Sequence, residues 1–566
     1  MKIFVSSFSV FLFLITCSCT TVESLDSVYF NGTIHTMEET SISAIGVKDG
    51  KINMVGTLDE LKSFVNEETD QIDLQGSTML PGFIDAHSHF TFAAKLAKFA
   101  VLSPPPIGNV DTFDAVIKTL QENQKKYDIP EGDWISGWGY DQDQLKEQRH
   151  PNRYDLDEAF PNHPVFLYHI SGHMGVVNSK AIEILEISAE TPDPAGGIIV
   201  RNTNSKEPSG LLLESASASA RSKIPFPDQE ERIEFVKKAQ EYYVSQGVTT
   251  AQDGFTSIEE YEFLKKVEEL GVLEIDIEVL ASFQQAERWL KEYNGEFGKQ
   301  KKGVRLTGLK ITTDGSPQGK TAFFSKPYHT KVPGCVHSCT GVPILNPSQL
   351  DELINKTYTN GIQTYVHCNG DASIDLLLNA HKANMEFLPN EISDDSRTVI
   401  IHSQFVRKDQ LDDYKSYGMV PSFFSNHAFY WGDVHVKNLG KERAHFLSPM
   451  KTALEKGITF TNHTDYIVTP LNQLFLTHTA VNRISRSGKI IGADERISSM
   501  DALRAITINA AYQHKTEQIK GSIAIGKLAD FVILENDPTA VPVEEIQNIK
   551  VLKTIKEGVV VFSAQI

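Results

Sequence analysis

The chain has 566 residues, with 40% hydrophobic and 22% charged, which is the balance of a folded body rather than of a disordered or fibrous chain. Its length allows two or three domains. Lys plus Arg number 54 against 73 Asp plus Glu, a formal charge of −19, so a phosphate-backbone partner is excluded and no nucleic acid is expected.

The chain starts with one Lys, an apolar run from Ile3 to Ile15, and small residues around Cys17 and Cys19. That run is too short to span a bilayer and has the length of a signal-peptide core. Residues 1–19 therefore read as a leader. LITC and TCSC resemble a bacterial lipoprotein box, so Cys19 or Cys17 is a candidate lipid anchor. The expected location is the bacterial periplasm or outer membrane, as an exported lipoprotein whose contact with membrane is through the lipid alone. Cys335, Cys339 and Cys368 are the remaining cysteines, too few for a disulfide scaffold.

Residues 25–80 alternate apolar and polar positions between turn signals, with Asp49-Gly50 marking a hairpin. Residues 515–566 read alike, and together they predict one small β-sandwich domain built from both termini. Residues 81–514 alternate instead between short β-branched runs (FIDAH, VTTAQD, IDIEVL, RLTGLKI, IQTYVH, TVIIH, MVPSFF, ITFTN) and helical stretches. Eight strands alternating with helices predict an α/β chain with a (β/α)8 TIM barrel, whose active site lies at the C-terminal strand ends. A Pro-, Gly- and Trp-rich segment at about 101–235 reads as a large insertion after the first barrel strand, over the barrel mouth.

Side chains with metal-ligand chemistry close these runs. His87 and His89 end FIDAHSH, and an i, i+2 pair on a strand turns both imidazoles to one face. Lys310 ends RLTGLK, His367 ends IQTYVH, His402 ends VIIH, and Asp465 follows ITFTNHT. Any single one reads as a hydrogen-bonded polar residue; six in order at one barrel rim predict a metal site.

Together PGFIDAHSH, LKITTDGSPQGKTAFF, VHCNGDASID, IHSQF and TNHTD resemble the amidohydrolase superfamily. Within it they are similar to the amidohydrolase 3 family, the branch that includes N-substituted formamide deformylase. The likeness runs from about residue 27 to residue 563. It implies that His87 and His89 bind the more buried of two divalent ions, and that Lys310 is N6-carboxylated and bridges both. His367 and His402 would bind the second ion, while Asp465 would hold the nucleophilic water and shuttle its proton. Two Zn2+ per chain are the expected cofactors, with Fe or Mn compatible with the same ligands. The implied reaction is hydrolysis of a carbon–nitrogen bond other than a peptide bond (amide, formamide, carbamate or cyclic amide) in a small molecule, by a metal-activated hydroxide. An ester or lactone hydrolase on the same site is the alternative, as is a surface-anchored binding lipoprotein with a vestigial site. A homo-oligomer is left open.

Two motifs depart from the family pattern. Asn462-His463-Thr464-Asp465 stands where Gly-Ser-Asp is common, which makes His463 a candidate to touch the site. Cys368-Asn369 replaces a common Ala-Ile. His173 in SGHMGVVNS is a candidate substrate contact from the insertion. Trp134, Trp138 and Tyr140 are candidates to line the mouth and favour an apolar or aromatic substituent. GSPQGKT has three residues between its glycines where a phosphate loop needs four, and is not read as one. CVHSC reads as a surface loop, with a metal clip and a tight disulfide both open.

Overall fold

Eight short strands run parallel and pair in chain order through the middle of the protein. They are β1 (Phe83–Ile84), β2 (Val248–Thr256), β3 (Asp276–Ser282), β4 (Val304–Thr312), β5 (Gln363–Cys368), β6 (Val399–His402), β7 (Val420–Phe423) and β8 (Thr461–Asn462). This computed structural model describes residues 24–565 apart from 226, 334 and 389–394, so the leader with Cys17 and Cys19 lies outside the described residues.

Nearly every residue of these strands is buried, the pattern of a parallel sheet covered on both sides. Alternation along each strand then sorts side chains into two layers. Leu280, Tyr365, Val399, Ile401 and Val420 pack together inside. Val279, Leu309, Ile311, Val366 and Ile400 join the outer core, with helix residues such as Ile354, Leu377 and Leu411. The flanking helices start where the chain supplies caps. Ser257 with Glu260 begins Ile258–Glu269, and Asn346 with Gln349 begins Pro347–Thr359, each a reciprocal capping box.

The ring is closed at the rim rather than by strand pairing. Ser88 and Tyr466 form a parallel bridge, the Asp465 N–H donates to the His87 carbonyl (3.1 Å), and the His89 N–H donates to Tyr466 (2.7 Å). The seam between β1 and β8 is thus drawn together at the candidate ligands themselves.

Both termini build sheets beside the barrel. Lys51–Gly56, Ala44–Lys48, Ser27–Phe30 and Asp70–Asp73 make one, and the Asp49-Gly50 turn joins two of its strands. The other interleaves Thr33–Ile34 and Thr78–Pro81 with Phe531–Leu534, Val551–Lys556 and Val559–Ser563. Tyr29, Ile45 and Ile52 of the first sheet pack on Phe531, Ile533 and Ile555 of the second. Asp276 at the start of β3 meets Lys520 and Lys556 (2.9 Å), and Lys556 also meets Asp530 (3.1 Å), an ion cluster buried between the barrel and the terminal sheet.

Between β1 and β2 a six-stranded sheet covers the barrel mouth, running from Gly197–Arg201 at one edge to Ala100–Val101 at the other. Cys335 and Cys339 are joined as a disulfide in the loop after β4, which resolves the open reading of CVHSC.

Candidate active site and metal centre

Five of the six proposed ligands are fully or almost fully buried, and all six line one cavity of about 440 Å3 at the C-terminal rim. Strand alternation explains two of them directly. Leu309 and Ile311 face outward, so Lys310 between them faces in; Val366 and Cys368 face outward, so His367 faces in. His402 is different. Ile400 points out, and strict alternation would send His402 with it, but its backbone is left-handed (φ 71°) and turns the ring to the site. Asp465 holds a second left-handed backbone (φ 50°) just past β8. His87 and His89 stand in the turn beyond β1, which ends at Ile84, rather than on the strand that the i, i+2 reading assumed.

The side chains form two half-sites. His87 Nε2, His89 Nε2 and Asp465 Oδ1 gather at one, with 3.5 and 3.3 Å from the two nitrogens to the carboxylate. His367 Nδ1 and His402 Nε2 face one another at 3.1 Å in the other. These separations are near the roughly 3.3 Å between two donors held at about 2.0–2.1 Å in a tetrahedral shell. Lys310 Nζ lies 3.2 Å from His87 Nε2 and forms no ion pair among the described residues. Among the described residues the buried His402 Nδ1 has no hydrogen-bond partner, and Asp465 Oδ1 has none beyond the approach of the His89 ring. Neutral imidazoles, a carboxylate and unsatisfied buried acceptors are what a divalent cation binds, so the residues present fit the metal.

The electrostatics favour deprotonated ligands. Burial drives His87, His367 and His402 far below the ordinary imidazole range, and neighbouring cations add to it. Burial also pushes the Lys310 amine down to about 7, against the pull of Asp465 and Cys368. Burial alone would raise Asp465, but the hydrogen bond and charge of His89, with His463 and Lys310, hold it below the usual carboxylate value.

Further residues position these groups. His87 Nδ1–H donates to Gln252 Oε1 on β2 (2.5 Å), which leaves Nε2 for the site. A Cβ at Gly254 would meet His87 Cε1 at 2.3 Å, so only glycine lets the ring stand there. Asp314 lies 3.6 Å from His367 Nε2 and accepts from the backbone N–H groups of Asn369, Gly370 and Phe323. Burial nevertheless lifts Asp314 to about 7. Gln252, Asp314 and Asn369 sat inside or beside quoted motifs, yet nothing in their spacing distinguished them from turn residues.

The three secondary candidates separate. His173 lines the cavity, its ring 5.0 Å from that of His367, and its Nδ1–H donates to Glu214 Oε2 (2.8 Å). Burial lowers its pKa, but the Glu214 charge and hydrogen bond and the Asp314 charge outweigh it and leave it raised. His463 is off the cavity wall. It is wholly buried behind His87 and His402, ring centroids 5.2 and 5.1 Å away, and burial pushes it down to about 3. Tyr140 does not reach the mouth at all. Trp138 pairs with Tyr168 while Tyr140 pairs with His169, so Gly139 (φ 99°) is an extra residue, a bulge that puts Tyr140 on the opposite face. Trp138 accordingly lines the cavity, while Tyr140 is buried in the core of the insertion with its hydroxyl paired to His150 Nδ1 (3.1 Å). Trp134 packs beside the Trp138 cluster and is not on the wall.

Comparison with known proteins agrees with this geometry. A profile of the amidohydrolase family matches residues 70–562. The chain is similar to N-substituted formamide deformylase of Arthrobacter pascens, 27% identical over 552 residues that cover 94% of this chain and 98% of that protein. It is 28% identical over 558 residues to YtcJ of Bacillus subtilis (strain 168), a protein with an amidohydrolase name, covering 95% and 99%. A crystal structure of an uncharacterized metal-dependent hydrolase from Pyrococcus furiosus superposes with a TM-score of 0.69 at 25% identity, over 91% of this chain and 99% of that one. The ordered ligand strands, the sheets from both termini and a family match spanning most of the chain make this protein a metal-dependent hydrolase of the amidohydrolase family, in the amidohydrolase 3 group its motifs resemble.

Proposed function

We propose that the protein hydrolyses a carbon–nitrogen bond other than a peptide bond in a small amide, formamide or carbamate. The observation that carries this reading is the meeting of His87, His89, Asp465, Lys310, His367 and His402 on one cavity wall, from separate places in the chain. The similarity to a formamide deformylase supports a small acyl group on nitrogen. Phe92, Phe99, Trp138 and Tyr168 form a clustered aromatic wall in the same cavity and suit an apolar substituent.

His87, His89 and Asp465 would hold one ion, and His367 with His402 a second, zinc being the default for such donors. Lys310 lies beside His87 with no carboxylate paired to it among the described residues, and N6-carboxylation would turn it into an oxygen donor for the two half-sites. A divalent ion held there supplies Lewis acidity, which polarises a scissile carbonyl and acidifies water near neutral pH. Asp465, ionised and aimed into the cavity, takes the proton of the attacking water and returns it to the leaving nitrogen. His173, held by Glu214 on the opposite wall, is placed to steady the substrate carbonyl.

The leader belongs to the same proposal: export, and lipidation at Cys19 or Cys17. The Cys335–Cys339 disulfide supports an oxidising compartment. Metal content of the leaderless protein, read beside turnover of N-formyl and N-acyl amines, carbamates and esters, tests the function. About two ions per chain and amide turnover that chelation abolishes and metal restores are expected. A metal-free chain that stays inert after reconstitution would overturn the reading.

A further inference from the structure

Arg221 is the last residue of the helix Ser215–Arg221 and lines the active-site cavity. One guanidinium nitrogen, Nη1, donates to the Gly172 carbonyl at 2.9 Å, in the loop that carries His173. That bond anchors the fork beside a candidate substrate contact. Arg221 is half-buried, and among the described residues no carboxylate forms an ion pair with it, whereas the more deeply buried Arg305 pairs with Glu278 and Arg397 pairs with Asp395 and Glu517. Tyr168 and Glu214 act on Arg221 through charge alone; Glu214 Oε2 is engaged by His173, and its Oε1 has no hydrogen-bond partner among the described residues. Burial also disfavours the Arg221 cation.

A guanidinium partly screened from water is stabilised by an anion that meets it, and its planar fork matches a carboxylate. We infer that Arg221 binds a carboxylate on the substrate, which makes the substrate class an N-acyl or N-carbamoyl amino acid, with its apolar side chain on the Phe92–Trp138–Tyr168 wall. Asp253, Glu214 and Glu260 also line the cavity, so a single negative charge is favoured there over a dianion such as phosphate. This inference rests on the hydrolase reading above and narrows it from any small amide to one that carries an acid group.

Binding is measured apart from turnover, by calorimetry on the metal-loaded full-length mature chain carrying Asp465→Asn. The probes are racemic N-acetylphenylalanine and its carboxamide, which differ only in the charged group. The acid is expected to bind at least about tenfold more tightly than the amide, the worth of one charge-assisted hydrogen bond. Adding Arg221→Met should bring the two probes within about twofold, while Arg221→Lys should keep part of the preference and shows that the fold tolerates the change. No binding of the acid, equal binding of the two probes, or a preference that survives Arg221→Met would each overturn the assignment. Arg221-dependent binding by a chain whose unsubstituted, metal-loaded form hydrolyses neither these probes nor any N-formyl amine, N-acyl amine or carbamate of the panel above would leave the assignment standing and overturn the carbon–nitrogen hydrolase reading instead.

Discussion

Asp465 is an ionised carboxylate held at a left-handed backbone position, with His89 against one oxygen and that oxygen otherwise unsatisfied. Replacing it by Asn keeps the shape and removes the proton acceptor. Asp465→Asn is expected to lower kcat by about 10²- to 10⁴-fold, the usual worth of a placed acid–base group, with metal still bound through the histidines. Steady-state kinetics beside metal analysis checks both halves. Glu214 acts one step further out. Its charge and hydrogen bond raise the pKa of His173 against the effect of burial. Activity that needs the His173 imidazolium is present below that pKa and lost as pH rises through it. Glu214→Gln lowers the pKa, so the alkaline limb of the kcat/KM profile should move to lower pH, with roughly a tenfold loss at neutral pH. An unmoved alkaline limb would remove His173 from the reaction.

Strand geometry decides which side chains arrive at the rim. Lys310 and His367 follow from alternation, because the residues on either side of each carry the outer core. The histidine at 402 obeys a different rule, and its left-handed backbone is the sort of strain that an over-determined site sustains. β2 contributes by what it lacks. Gly254 leaves the space that the His87 ring fills, next to Gln252, which orients that ring. Gly254→Ala should displace His87 and weaken metal binding by about 10- to 100-fold, the range seen when groups supporting a ligand are disturbed. Competition with a chelator of known affinity measures it; an unchanged affinity would mean the ring has another place to go.

Across the molecule, the barrel and the terminal sheets are tied by charge as well as by apolar packing. Asp276 on β3 is buried against Lys520 and Lys556, and their charges hold its carboxylate far below the ordinary value despite burial. A depressed carboxylate contributes stability above its unfolded pKa of about 3.9 and loses it as pH falls through the folded value. Asp276→Asn leaves two buried ammonium groups short of a partner and should cost about 3 kcal/mol at pH 7. The gap between the two proteins in urea-unfolding free energy should stay flat from about pH 5 to 8 and narrow only below about pH 4. A gap that closes above pH 5 would show that the cluster is not what joins the two parts.

By itself the sequence determined the order of chemistry along the chain: which runs form strands, which stretches between them form helices, and which six side chains end or follow those runs. Those signals are local, written in periodicity and in residue type at a strand end. Tertiary structure decided everything that depends on who stands opposite. The Gly139 bulge sent Tyr140 into the core and left Trp138 on the wall. Folding brought Gln252 to His87, Glu214 to His173, and Arg221 to the cavity, from segments far apart in sequence. The same holds for the β1–β8 seam, where hydrogen bonds between the segments that follow the first and last strands fix His87, His89 and Asp465 beside one another. Backbone sterics and residue chemistry act over a few positions and are visible in one dimension; burial, pairing and pKa arise only between neighbours that the fold creates.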